Sequence, residues 1–296
     1  MSSVLQFVIN GLLVGALFAA TAVGFALIWG VVDIINLAHG EMLMLGGYVS
    51  YYTLVVVTGE AVASPALALA TVPVAIVVVF VVGYLLQRLL VAQVLGTDAF
   101  LSLLVTFGLS IGLQQVALKL FSADTRRIAV EFADPSLTVG GFVVPKLKLV
   151  AFAGAIALTA ALFLFLQRTR TGRSIRAVAQ NPEAAALVGI DVAHTRAVTF
   201  GLASAIAAGA GAFIAMILAI QPQMGLIYTL KSFIIVVFGG IGSVPGALVG
   251  GLLLGTVEEL VAGVVSSRWT LAVSFGLLIV LLIVKPDGLF GTGVRE

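Results

Sequence analysis

The chain has 296 residues, 61% of them hydrophobic and only 9% Asp, Glu, Lys or Arg, far below the roughly 25% charged residues of a typical soluble domain. So few charges cannot cover a water-facing surface, which leaves lipid as the solvent. A net charge of +2 gives no basis for nucleic-acid binding, and the absence of cysteine excludes disulfides, thiol catalysis and Cys-based metal sites.

Charged side chains are costly at the bilayer centre, and a spanning helix needs about 20 residues. Eight runs longer than 15 residues lack Asp, Glu, Lys, Arg and His: 1–32, 42–59, 61–87, 99–118, 149–167, 197–230, 232–257 and 269–284. No porin-like alternation accompanies them, so helices, which satisfy their own backbone groups, are the expected form. The prediction is an all-α polytopic membrane bundle of eight to nine spans in a single domain, 1–296. The 33 glycines suit close helix approach in lipid. Met1-Ser2-Ser3 has no basic n-region, so the first span is expected to direct insertion itself.

Asp33, Asn36, His39 and Glu41 lie between the first two runs. Ionisable groups near the bilayer interior usually face protein or a water cavity. At helical spacing Asn36 and His39 share a face with Asp33, and Glu41 points elsewhere. Two readings stand open: a polar lining or gate near the translocation path, or an interfacial turn bent at Gly40. Asn10, Thr106, Ser110, Gln114 and Gln115 are polar residues in or near spans, most of which are expected to bond between helices rather than to bind substrate. Residues 119–148 mix both signs of charge and carry no motif.

The loop 168–196 is the densest in arginine, with Arg168, Arg170, Arg173 and Arg176 inside nine residues. Positive charge accumulates on the cytoplasmic side, which places this loop inside and, five spans back, the N-terminus outside. Within it, Asn181 is a helix cap, Pro182 a first helical residue, and Glu183 an acid on the positive dipole end. Ala184, Ala185, Ala186, Leu187 and Val188 continue the helix, and Gly189 ends it in the left-handed conformation. A short helix with a small, mostly apolar surface suits docking into a cleft on another protein. The plainer reading is a solvated topological anchor.

Gln221-Pro222-Gln223 interrupts the long run 197–230 and should mark a membrane surface. Lys231 follows, with two readings: snorkelling to the interface, or lining the pathway. Gly239-Gly240-Ile241-Gly242-Ser243-Val244-Pro245-Gly246 breaks the next run, because Gly and Pro disfavour a continuous helix. It is either a tight hairpin or a broken helix at membrane depth. Glu258 and Glu259 are expected at a membrane surface, and the tail, with Lys285, Asp287, Arg295 and Glu296, falls on the inner side only if 226–257 crosses twice. Gly11-Leu12-Leu13-Val14-Gly15 echoes Gly251-Leu252-Leu253-Leu254-Gly255, a match that a chain rich in Gly and Leu produces readily by chance.

Three segments together resemble the permeases of ABC importers for branched-chain amino acids and related compounds. They are Asn36-Leu37-Ala38-His39-Gly40-Glu41 with its preceding Gly30-Val31-Val32-Asp33-Ile34-Ile35, the loop 173–191, and Phe238-Gly239-Gly240-Ile241-Gly242-Ser243-Val244-Pro245-Gly246-Ala247. The resemblance implies a multi-pass subunit of a bacterial inner membrane. Its loop 168–196 would couple to a cytosolic ATPase through Arg173, Arg176, Asn181, Pro182, Glu183, Ala184, Ala185, Leu187 and Gly189. It also implies a second related permease, two ATPase subunits that use ATP, and an external solute-binding protein. Asn36, His39, Glu41 and Lys231 are the candidate path residues, and Gly239, Gly240, Gly242, Pro245 and Gly246 the helix break.

No G-x-x-x-x-G-K-[ST] sequence is present, so a P-loop of that type cannot form. His39 and His194 supply no zinc triad, and no Ser/His/Asp arrangement stands out. No cofactor, metal or catalytic role is expected of this chain. The alternative reading is a secondary transporter of small polar solutes, a class that also uses broken helices.

Overall fold

The computed structural model describes residues 2–96, 98–132, 135–240, 242–285 and 288. Asp134, Ile241, Asp287, Arg295 and Glu296 therefore lie outside the described residues. The order is α1 (Ser2–Val32), α2 (His39–Thr58), β1 (Val62–Ala63), α3 (Pro65–Leu89), α4 (Ala99–Phe121), β2 (Ala129–Val130), β3 (Ser136–Val139), β4 (Phe142–Pro145), α5 (Lys146–Arg168), α6 (Arg170–Gln180), α7 (Pro182–Leu187), α8 (Val192–Ile217), α9 (Gly225–Gly239), α10 (Val244–Val261) and α11 (Thr270–Val284). Eight stretches of described residues are long and apolar enough to cross a bilayer. The last of these, Val244–Val284, folds back at 262–269, where a π-turn and a 3₁₀ turn separate α10 from α11.

The bundle has two ends. At one, the close of α1 meets α6 and the start of α10, since Gly30, Arg176 and Gly242 line one cavity. At the other, Gln6 exchanges hydrogen bonds with Val143 of the β3/β4 hairpin, and β1 pairs with β2 in parallel. These are called the loop end and the hairpin end. The two small sheets are all the strand structure among the described residues; three of their four strands lie in 119–148, a stretch too polar to sit in lipid. The N-terminus and the loop 168–196 lie at opposite ends, as the count of spans requires. Gly288 rests beside Val237 and Gly240, which returns the chain to the loop end.

Two columns organise the interior. α1 packs most heavily on α10, and α8 on α2 and α3. The α1/α10 and α2/α8 contacts are backbone against backbone, because Gly and Ala remove the side chains that would hold helices apart. Gly11 and Gly15 of α1 lie on Gly255 and Gly251 of α10, leaving no room for a Cβ at any of the four. The two echoing pentapeptides are thus each other's partners. On α8, Ala208 and Gly211 accept α2 at Gly46 and Leu43, and Ser204 accepts α3 at Gly83.

The glycine break is a tight turn and not a helix broken at depth. Gly239 and Gly246 touch through their backbones. Gly240 and Gly242 have φ of 91° and 76°, a region that favours glycine. Ser243 then caps α10 by accepting from the Gly246 amide at 3.1 Å, with Pro245 in the first turn.

The backbone at membrane depth lies elsewhere. After α1 ends, residues 33–38 carry the chain back into the bundle, and α2 starts where the His39 ring bonds the Thr21 carbonyl at 2.9 Å. Thr21 is roughly 16 Å from the end of α1, at 1.5 Å of rise per residue. α9 begins at the same depth, with Gly225 against Gly40 and the Glu41 carboxyl. Gln221 and Gln223 are exposed, Ile220 before them pairs with Arg126 of the polar segment, and the short 3₁₀ turn Pro222–Met224 launches α9. α2 and α9 are half-helices that set out from one interior point toward opposite ends.

Candidate functional site

Non-helical backbone inside a bilayer persists only where protein satisfies it. Residues 33–38 find side-chain partners within the segment itself, on α4 and on α9. The Asn36 side-chain oxygen accepts from the Ala38 amide at 3.0 Å. Thr106 of α4 donates to the Ile35 carbonyl at 3.1 Å. Thr229 of α9 donates to the Leu37 carbonyl at 3.1 Å and accepts from the Gly40 amide at 2.7 Å. The turn opens on Asp33, whose φ of 59° is unusual for a residue with a side chain.

The polar residues of this segment diverge. His39 faces α1, bonded to Thr21 and edge-on to Phe25. Glu41 faces α4 and α9, accepting from the Ser110 hydroxyl at 2.9 Å. Asn36, His39 and Glu41 are all essentially inaccessible. In this structure they belong to a closed polar knot that ties α1, α2, α4 and α9 together. Ser110 bonds between helices, as expected, whereas Thr106 bonds the non-helical backbone at Ile35.

Lys231 is half-buried and paired. Its ammonium lies 2.6 Å from the Glu258 carboxylate, with side-chain exposures of 15% and 9%. It also sits 4.3 Å from the centre of the Phe18 ring, a cation–π contact. Ser274 of α11 donates to the other Glu258 oxygen at 3.0 Å. Glu258, expected at a surface, is therefore the anion of a buried pair linking α9, α10 and α11. Glu259 turns outward to Lys148 of α5 at 3.7 Å.

The loop between α5 and α8 is built as the sequence indicates. Thr169 caps α6 by accepting from the Gly172 amide at 2.9 Å. Gly172 packs so closely on Phe165 and Leu166 that no Cβ fits. Asn181 caps α7 by accepting from the Ala184 amide at 2.9 Å, with Pro182 and Glu183 in its first turn. Gly189 ends it at φ 85°, and the Ile190 amide closes back on the Ala185 carbonyl at 3.1 Å. Asp191 then caps α8 through the His194 amide at 2.9 Å. Every end is fixed, so the loop projects as a rigid unit.

Which face it offers differs from expectation. Ala185, expected at a docking contact, is 3% exposed and points inward, so α7 rests on it. The outward tip is Leu187 and Val188, 89% and 77% exposed. Ala184 and Glu183 are exposed beside them. Arg176 turns away from this tip to line the cavity shared with Gly30 and Pro245, whereas Arg173 is exposed on α6.

The sequence matches, over residues 7–282, the family described as the permease component of branched-chain amino acid transport systems. The chain belongs to this permease family. It is 33% identical over 295 residues to the high-affinity branched-chain amino acid transport permease BraD of Pseudomonas aeruginosa, covering 97% of this chain and 95% of BraD. It is 34% identical over 303 residues to the corresponding permease LivH of Escherichia coli, with the same coverage. A probable LivH of Methanocaldococcus jannaschii is 27% identical over 292 residues, covering 95% of this chain and 90% of the relative.

The permease thus carries two organised polar regions: the knot where α2 and α9 begin, and the capped loop at one end. Thr229, Gly225 and Ser274 complete the first and the Lys231 pair, and sequence reasoning did not select them. Their signal is weak, since a Thr, Gly or Ser in a span is ordinary until its neighbour is known.

Proposed function

We propose that this chain is the membrane permease subunit of an ABC importer for branched-chain or related amino acids. Each subunit provides half of a translocation path, completed by a second related permease. Two cytosolic ATPase subunits bind the loop 168–196 and supply the energy of ATP hydrolysis. A solute-binding protein delivers the amino acid at the hairpin end, which faces the outside of a bacterial inner membrane.

One observation carries the coupling role: a short helix capped at both ends holds two large apolar side chains, Leu187 and Val188, out of an arginine-rich loop. Exposed aliphatic tips on a rigid support suit insertion into a partner's cleft. The test is to replace both with Asp and measure leucine uptake and ATPase copurification. We expect normal membrane levels with both readouts down by about tenfold or more, the scale of one lost hot spot. Full uptake in this variant would overturn the coupling role. Uptake that persists without any ATPase would favour a secondary transporter.

A further inference from the structure

α5 and α10 both pack along α1 yet scarcely touch each other among the described residues. Near the hairpin end the Lys148/Glu259 ion pair bridges them at 3.7 Å. Toward the loop end they part, because α5 runs on toward α6 while α10 begins at the glycine turn. The gap forms two adjoining cavities. One, of about 230 Å³, is walled by Ile156, Thr159, Phe163, Val244, Pro245 and Leu248. The other, of about 340 Å³, shares Phe163, Val244 and Pro245 and extends to Gln167 and Arg176 at the loop end.

The groove is therefore apolar along the bilayer and basic where the bilayer ends. Arg176 is exposed and has no carboxylate partner among the described residues; the same holds for Arg168, Arg170 and Arg173 nearby. A helix, about 10–12 Å across with its side chains, is too wide for a slot of this size, whereas a single acyl chain is not. Basic pockets between spans take anionic headgroups, and a guanidinium matches a phosphate with two parallel hydrogen bonds.

We propose that the groove between α5 and α10 binds an anionic phospholipid, with an acyl chain lying along Phe163 and Pro245 and the phosphate on Arg176. The site is distinct from the Leu187 and Val188 tip, so a lipid and a docked protein occupy different faces of the loop. This goes beyond the importer reading and does not depend on it.

The experiment uses the purified, delipidated full chain in neutral detergent. Thermal unfolding is followed with phosphatidylglycerol, with phosphatidylcholine of identical acyl chains, and with glycerol phosphate alone. Phosphatidylglycerol should raise the unfolding temperature by about 2–4 °C more than phosphatidylcholine does, and glycerol phosphate should not. Arg176→Gln, an exposed position that leaves the fold intact, should erase that difference. Ala160 also lines the smaller cavity from α5, and Ala160→Trp, which fills it, should suppress the response to both lipids. Arg268→Gln, at the hairpin end, should behave as wild type. Equal responses to the two lipids overturn the proposal, as does an equal effect of glycerol phosphate. So does a headgroup preference that survives Arg176→Gln, a full response in Ala160→Trp, or a loss in Arg268→Gln matching that in Arg176→Gln.

Discussion

The Lys231/Glu258 pair shows how one side chain's surroundings reverse the meaning of its charge. A lone lysine between two apolar runs invites a role in the path, yet here it neutralises a carboxylate within the bundle. Removing one member of a buried pair strands the other, at a cost of about 3–5 kcal/mol, whereas replacing both with apolar residues is often neutral. Lys231→Met should therefore lower the thermal stability of the detergent-solubilised protein far more than Lys231→Met combined with Glu258→Leu. Equal losses in the single and double variants would show that the pair is not energetically coupled. The turn glycines separate in the same way. Gly240 holds φ 91° and ψ 132°, a combination essentially confined to glycine, so Gly240→Ala should cost about 1–3 kcal/mol. Gly242 has φ 76° with open space where a Cβ would point, so Gly242→Ala should cost less, about 1–2 kcal/mol. A thermal unfolding series that ranks them in the opposite order would contradict this backbone account.

At the scale of elements, the parts that sequence reveals are those governed by local chemistry. Asn181, Pro182, Glu183 and Gly189 specify α7 because capping is a short-range bargain between a side chain and the next few amides. The eight apolar stretches are equally legible, since the bilayer imposes length and composition on each span separately. What stayed hidden depends on neighbours distant in sequence. Asn36, His39 and Glu41 read as a polar patch, but their burial is decided by Thr21, Ser110 and Gly225. The inward turn of Ala185 and the outward turn of Leu187 are set by how α7 leans on the bundle, which helical spacing alone does not give. Ala185→Arg, which adds bulk and charge beneath α7, should therefore disorder the loop, whereas Leu187→Asp should leave it folded and undocked. Limited proteolysis distinguishes the two: cleavage near 182–190 should rise in the first variant and stay at the wild-type level in the second. The α1/α10 seam is stricter. Gly15→Leu pushes a side chain into the Gly251 backbone, overpacking that costs typically 1–3 kcal/mol or more, and membrane levels of this variant should fall well below those of Leu13→Ala.

For the whole molecule, the division into a loop end and a hairpin end makes a direct topological statement. The chain has no cysteine, so a single introduced thiol reports accessibility without background. A cysteine at Gly141 should react with an impermeant maleimide in intact cells, and one at Leu187 should react only after the membrane is opened. The reverse pattern would invert the orientation and remove the ATPase from the loop. The α1/α10 contact has a further consequence, which concerns time. The glycine face of α1 is made at the start of synthesis, and its partner on α10 follows roughly 240 residues later, about 10–50 s at ordinary elongation rates. Throughout that interval the central seam of the protein is half built, and the first span must wait in the bilayer, or beside the insertion machinery, for nearly the last to arrive.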